Sequence, residues 1–427
     1  MFQLLLFFAV LLGAPVAQAQ PYPASTVITG VTFDRSTHDR RAPGSDNWPI
    51  TWADDDHQYT SWGDGGGFGG TNSVGRVSLG IARVEGEADD HTGFNVWGGE
   101  SPEVPATFGG KSYGIISIDG VLYMWVSPGS GPTGYDETTL HRSDDHGRSW
   151  TPADWSFTRA DELVLPTILQ FGRDYDGARD GFVYAYAIRL KDGSSLDVQV
   201  PGEIDLLRAP VDSLMDRDAW EFFTGLDGDT STWDADIDAR EPVFTDPAGV
   251  GWNVSVSYNA PLGRYVLCTE HDASKEGNLG IFDAPEPWGP WTTVGYYSDW
   301  EELGATFFWN FSNKWLSADG LDFTLVFTGI GDNDSWNTIR GRFDATAPPP
   351  SDGGTPDEDA SAPGPDGGET GPDASPPDAA GSSDGGAVPS GDDGCGCTTT
   401  GRRSLPIWAF TILILWTGAR RSRRPRH

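Results

Sequence analysis

Apolar and polar residues alternate along the middle of the chain in short runs separated by turn-forming residues. Residues 115–118 (Ile-Ile-Ser-Ile) and 121–126 (Val-Leu-Tyr-Met-Trp-Val) flank Asp119-Gly120, a pair suited to a tight hairpin turn. Residues 254–258 and 264–267 make a second hairpin pattern around 259–263, and 182–187 and 323–327 read as further strands. The helical period of 3.6 is missing from every long stretch, apart from a short turn near 211–220. The pattern predicts an all-β domain.

One motif narrows the architecture. Residues 143–150, Ser-Asp-Asp-His-Gly-Arg-Ser-Trp, fit the Asp-box pattern Ser-x-Asp-x-Gly-x-Ser/Thr-Trp. There the Asp and Ser side chains close a tight β-turn and the Trp packs between blades of a propeller, so the motif speaks to fold and not to activity. Weaker echoes at 206–210 and 280–285 lead to Trp220 and to Trp288 and Trp291. Trp150, Trp220 and Trp291 recur at about 70 residues, a period that signals repeated units, and comparable outer-blade positions are expected for them. About 320 residues divided by a repeat of about 65 give five blades. The strand near 27–33 is expected to complete the last blade, which otherwise ends at 338–343; closing the ring removes exposed sheet edges. The prediction is a five-bladed β-propeller over residues 20–344, with six blades or a two-sheet sandwich as alternatives.

The ends of the chain read differently. Residues 1–19 hold an apolar run from Leu4 to Leu12 and the small-residue site Ala17-Gln18-Ala19, the pattern of a secretory signal, although no Lys or Arg precedes the run. From 345 to 401 there is no Lys, Arg or aromatic residue. The Pro/Gly/Asp-rich linker 345–394 cannot bury enough apolar surface to offset the entropy of ordering it, so disorder is predicted. Residues 395–427 follow with Cys395 and Cys397, an apolar segment at 405–419 and a basic tail. The apolar segment is short beside the roughly 20 residues of a spanning helix, and its basic flank should stay cytoplasmic, which places the domain outside. This order resembles the MYXO-CTERM sorting tag of myxobacteria. The resemblance implies processing or lipidation at Cys395 or Cys397 by a sorting protease or export machinery, and display on the cell surface or release. A permanent C-terminal membrane anchor is the alternative.

Charge and cysteine content remove several functions. The formal net charge of −35 argues against nucleic acid, because phosphate binding needs a basic stripe and the dense basic cluster lies in the C-terminal tail. Cys268 stands alone in the globular part, and no Cys/His spacing resembles a zinc site. No cofactor is therefore expected, apart from a calcium ion at the propeller axis, for which Asp54 to Asp56 offer hard oxygen ligands without the spacing of an EF-hand. A monomer is expected.

The densest chemistry lies at 46–68: Asp46, Trp48, Trp52, Asp54, Asp55, Asp56, His57, Tyr59, Trp62, Asp64 and a glycine run. Carboxylates supply acid and base, indole faces stack on sugar rings, and glycines let a polymer approach the backbone. A solvated acidic loop beside a core strand is the alternative. Residues 46–55 with Trp62-Gly63-Asp64-Gly65, together with 177–180, 281–291 and 314–320, resemble secreted bacterial members of domain-of-unknown-function family 4185. The resemblance spans nearly all of 40–343.

That family includes endo-D-arabinanases and is held to be a five-bladed propeller. The resemblance therefore implies a secreted or surface-displayed glycoside hydrolase acting on a cell-wall or extracellular polysaccharide. Glycoside hydrolysis uses two carboxyls flanking one bond, and inner strands bring acids from different blades to the axis. Asp46 and Asp64, in the best-matched motifs, are the expected catalytic pair, with Asp54 or Asp56 tuning a neighbour by like-charge repulsion. Trp48 and Trp62 are the expected sugar platforms, and Asp54, Asp56, His57, Lys111, Arg179, Asp180 and Lys314 the expected substrate contacts. Glu203, Glu241 and Glu270 are alternative sources of the acid. A sialidase would need three arginines around a carboxylate and a Tyr/Glu pair, and Arg41-Ala42-Pro43 matches its Arg-Ile-Pro poorly. A non-catalytic glycan-binding propeller, which needs the tryptophans but not paired acids, is the other alternative.

Overall fold

Five antiparallel sheets follow one another along the chain in the computed structural model, which describes residues 19–128, 135–163, 165–191, 196–329 and 334–345. Blade 1 runs through Ile50–Trp52, Gln58–Gly63, Leu79–Glu85 and Thr92–Trp97. Blade 2 comprises Lys111–Ile118, Val121–Ser127, Glu137–Ser143 and Phe157–Thr158, with Thr151–Pro152 beside its third strand. Blade 3 is the largest: Thr167–Ile168, Phe182–Ile188, Gly202–Pro210, Glu221–Asp227 and Thr230–Asp234, with Phe244–Asp246 beside the third strand. Blade 4 has Ser255–Asn259, Arg264–Glu270, Leu279–Ala284 and Thr292–Tyr296. Blade 5 takes Thr306–Leu316, Asp322–Gly329 and Trp336–Ala345 from the end of the domain and its outermost strand, Ile28–Arg41, from the start. The expected ring closure by the segment near 27–33 is thus present, and five blades replace the alternatives.

The first strand of each blade is innermost, and groups on or beside these strands fasten neighbouring blades. The Thr51 hydroxyl accepts the Ser117 N–H (blades 1 and 2), and Gln170 Nε2 donates to the Ile115 carbonyl (blades 3 and 2). The Gln170 N–H donates to the Val256 carbonyl (blades 3 and 4). Ser255 and Ser257 donate to the Trp309 and Phe311 carbonyls (blades 4 and 5), and Asn310 Nδ2 to the Trp48 carbonyl (blades 5 and 1). Polar groups buried at the ring's centre are paired across every blade junction, which offsets their desolvation.

Trp150, Trp220 and Trp291 each lie between the third and outermost strands of blades 2, 3 and 4. Each indole also reaches the preceding blade. Trp150 packs on the cluster containing Ile81, Trp220 lies 5.4 Å from Trp125, and Trp291 lies 6.1 Å from Phe244. In the turn before Trp150, Asp145 accepts hydrogen bonds from the Ser143 and Ser149 hydroxyls and the Ser149 N–H, and the Trp150 indole donates to the Gly147 carbonyl. The turn anticipated near 211–220 is the short 3₁₀ segment Arg217–Ala219.

Strand alternation gives the domain two functional ends. Loops entering each innermost strand, and loops between second and third strands, gather at one end, called upper here. Loops between first and second strands, and between third and fourth, gather at the lower end. Among the described residues, no helix is long and apolar enough to cross a membrane. The expected signal (apart from Ala19), the linker beyond residue 345, Cys395, Cys397 and the apolar segment 405–419 lie outside the described residues.

Candidate active site

The three-residue strand Ile50–Trp52 carries the chain from the upper end to the lower, and Gln58–Gly63 carries it back. This divides the 46–68 cluster. Asp46 and Asp64 stand at the upper end, while Asp54, Asp55, Asp56 and His57 occupy the lower turn between the strands.

At the upper end, the Asp46 N–H donates to the Gly63 carbonyl at 2.8 Å and the Gly63 N–H returns to the Asp46 carbonyl at 2.7 Å. This pair extends the ladder and lays the Asp46 side chain beside Lys111, the first residue of the inner strand of blade 2. Lys111 Nζ lies 2.7 Å from Asp64 Oδ1 and 3.9 Å from Asp46 Oδ1, and Arg76 approaches the other Asp64 oxygen at 3.1 Å. The two Oδ1 atoms can be no further apart than the sum of their distances to Lys111. Gly63 makes this close approach possible, since a Cβ there would stand 2.4 Å from Asp46 Oδ1 and 2.7 Å from Lys111 Nζ.

The two acids have unlike surroundings. Asp46 is 7% exposed, and its Oδ1 has no hydrogen-bond partner. Burial pushes its carboxyl up to about 6; Lys111 and Lys275 oppose the rise, and Asp334 and Asp64 add to it. Asp64 is partly exposed and flanked by two cations.

Glu270 ends the second strand of blade 4 at the same end and is fully buried. Its Oε1 accepts the Lys275 N–H at 2.6 Å, and burial pushes the carboxyl up to about 7. The Lys275 ammonium lies over the Phe307 and Trp252 rings, 4.5 and 5.4 Å from their centroids, and 3.8 Å from Asp334 Oδ2. Asn253 Nδ2 donates to Asn47 Oδ1 at 3.3 Å, joining the loop of blade 4 to the residue after Asp46. Of the three glutamates singled out from sequence, Glu203 is engaged by Arg189 and Lys191, and Glu241 is exposed. Lys275, Trp252 and Asp334 belong to no recognised motif, and the sequence offers Glu270 only as one of three glutamates that could supply the acid.

Several expected contacts are corrected. Trp48 and Trp62 are 0% exposed and stack on each other at 5.7 Å, with Phe68 and Trp336 packed on Trp48. Neither of these two indoles has a face free for a sugar. The glycine run serves the same packing: a Cβ at Gly67 would lie 2.5 Å from the Trp62 ring, and one at Gly65 would meet the Gly44 carbonyl at 2.3 Å. Asp54 pairs with His146 at 2.7 Å, Asp56 with Lys314 at 3.1 Å, and the His57 N–H donates to Asp55. Arg179 grips both oxygens of Glu286, and Asp180 accepts from the Phe182 N–H and the Tyr184 hydroxyl. Asp54, Asp56, His57, Arg179, Asp180 and Lys314 therefore all belong to the lower end. Asp46, Asp64 and Lys111 are the expected site residues that come together.

The axial calcium is corrected on the same grounds. Asp54 turns to His146 in blade 2 and Asp56 to Lys314 in blade 5, so the run does not converge on the axis. Among the described residues, Asp54, Asp55 and His146 place one ligand atom each within 4.8 Å of one another, at the lower end. The Asp55 oxygens already accept from the His57 N–H and the Tyr59 hydroxyl.

No curated protein matches the chain. Among solved structures, the chain is similar to the endo-arabinase from Bacteroides thetaiotaomicron VPI-5482, at 11% identity over 75% of this chain and 96% of that one, with a TM-score of 0.40. The endo-1,4-beta-xylanase of the same organism is 12% identical over 72% and 97% of the two chains, with a TM-score of 0.39. The exo-beta-1,3-galactanase from Phanerochaete chrysosporium is 11% identical over 70% of this chain and 64% of that one, with a TM-score of 0.44. From the inner strand of blade 2 to just past that of blade 5, residues 112–318 match the family described as Domain of unknown function (DUF4185).

Proposed function

We propose that the upper end of this propeller hydrolyses glycosidic bonds in a bacterial cell-wall or extracellular polysaccharide, D-arabinan being the first substrate to try. The observation that carries the reading is the meeting of two carboxyls of unlike environment, Asp46 and Asp64, on the Lys111 ammonium. Asp46, whose burial keeps it protonated in mild acid, delivers a proton to the leaving oxygen as the bond to the anomeric carbon breaks. Asp64, as the carboxylate, attacks that carbon from the opposite side. Water then releases the glycosyl group, with Asp46 taking the proton back. The ceiling on the Oδ1 separation excludes most of the roughly 6.5–9.5 Å inverting range and includes the roughly 5–5.5 Å of retaining enzymes, so retention is the proposed outcome. Burial of Trp48 and Trp62 removes the aromatic platforms on which a purely binding reading relied, and leaves the paired acids.

The test is release of reducing ends from arabinogalactan and a polysaccharide panel. Wild type is expected to cleave at least one polymer, and Asp64→Asn to cleave none at a comparable rate. Binding without cleavage by wild type would favour the lectin alternative. Gly63→Ala provides a finer check, because the new Cβ would push the Asp46 carboxyl and the Lys111 ammonium aside. It is expected to cost about tenfold or more in turnover, and some melting temperature as well, since the new Cβ would also stand 2.9 Å from Lys111 Cδ and both side chains are buried.

The proposal includes export and processing near Cys395 or Cys397. The mass of the surface-exposed protein is expected to lack the tail from Arg420 to Arg426; an intact tail would favour a permanent anchor.

A further inference from the structure

Beside the Asp46–Asp64 pair, a row of buried polar groups crosses from blade 1 to blade 4 without satisfying its own hydrogen-bonding capacity. Asn47 Nδ2, Asn253 Oδ1, Trp252 Nε1 and Glu270 Oε2 are all buried and without a protein partner. Asn47 and Asn253 touch through their other amide atoms, and Trp252 is next to Asn253 in the chain. The Trp252 indole N–H stands near the Glu270 carboxyl without completing a hydrogen bond to it. Gly251 makes room for this arrangement: its N–H donates to the Glu270 carbonyl at 3.0 Å, and a Cβ there would lie 2.6 Å from Glu270 Cβ. Folded proteins leave few buried polar groups unpaired. These four leave both donor and acceptor capacity open, which the hydroxyls of a sugar ring can satisfy.

We propose that Glu270 is a substrate-positioning residue which, in its protonated form, donates a hydrogen bond from Oε2 to a sugar oxygen beside the Trp252 N–H. The inference rests on the glycan-hydrolase reading of the same end and assigns its sugar-hydroxyl subsite. Oε1 is already an acceptor for the Lys275 N–H, so a proton on this carboxyl sits on Oε2, the free atom. Burial keeps the carboxyl neutral up to about pH 7, across the range in which Asp46 also holds its proton. The charged group facing Glu270 is Lys275; Gly251, Trp252, Asn253 and the paired Leu279 bring none. Lys275 in turn lies 3.8 Å from Asp334 Oδ2 and acts on Asp46. His271, the next residue, is paired with Asp272 and stacked on Tyr296, and strand alternation turns it to the other face.

Glutamine is the discriminating replacement because its NH₂ reproduces the donor without titrating. Binding of the full-length protein to arabinogalactan is measured by affinity electrophoresis from pH 5 to 8, alongside KM and kcat for any polymer cleaved. Glu270→Gln should bind within about threefold of wild type at pH 6 and hold that affinity at pH 8. Wild type should lose about tenfold as Glu270 ionises. Glu270→Ala should raise KM about tenfold or more with kcat within a few-fold, the signature of lost positioning. If the alanine variant fails to fold, the pH comparison of wild type with Glu270→Gln decides alone. Glu270→Gln losing affinity throughout, Glu270 variants indistinguishable from wild type, or wild type failing to bind at pH 6 would each overturn the proposal. Cleavage that depends on Asp46 and Asp64 but ignores Glu270 would sink this inference and leave the function standing. Glu270-dependent binding without any cleavage would do the reverse.

Discussion

Asp46→Asn is expected to slow hydrolysis by about 10²–10⁴-fold, the usual worth of a proton delivered in the transition state. The fold should survive, because asparagine keeps the shape and the backbone pair with Gly63 is untouched. The sign of the pH dependence follows from the raised carboxyl. Wild type should be active while Asp46 holds its proton and should decline as pH passes about 6. A raised folded-state pKa also means that Asp46 favours the folded protein most below its ordinary value near 4. That contribution is lost as pH rises through about 6. The asparagine variant escapes the loss, so its stability relative to wild type should rise between pH 4 and pH 7, by roughly 3 kcal/mol. Urea midpoints at the two pH values, with kcat/KM from pH 4 to 8, check both parts. An enzyme that gains stability while losing activity has been storing an unfavourable charge for its chemistry.

Trp62→Ala is expected to cost about 3–5 kcal/mol of folding stability, the usual price of emptying a buried indole site. The ring lies between Trp48 and the backbone of blade 1, where a Cβ at Gly80 would come within 2.2 Å of it and one at Gly99 within 2.8 Å. Such a seat is built around the indole and cannot refill by relaxation. Chemical denaturation should show a large fall in midpoint. A variant of wild-type stability with weakened glycan binding would instead restore the sugar-platform role.

The strand pattern, the tryptophan spacing and the closing segment near 27–33 were legible because they reflect local alternation and a repeated length. The allocation of the 46–68 acids was not. Eight extended residues span up to about 26 Å, enough for the chain to cross the blade between Asp46 and Asp54. Neighbours in sequence thus became residents of opposite ends. Trp48 and Trp62 were ambiguous for another reason: an indole suits a sugar face and a blade junction equally, and only three-dimensional neighbours such as Trp336 decide. Asp64 and Lys111 are 47 residues apart, and their meeting depends on blade 2 beginning where blade 1 turns back. Glu270 likewise depends on packing that no motif announces, since Gly251 and Trp252, from the loop before the blade's first strand, determine its environment.

The central claim is that chemistry belongs to the upper end and not to the equally acidic lower turn. Reducing-end release should be compared, under identical conditions, for wild type, Asp46→Asn, Asp64→Asn and Asp54→Asn. The account predicts that the first two variants fall by about 10²–10⁴-fold while Asp54→Asn stays within a few-fold of wild type. Full activity in Asp46→Asn and Asp64→Asn, with collapse in Asp54→Asn, would contradict it.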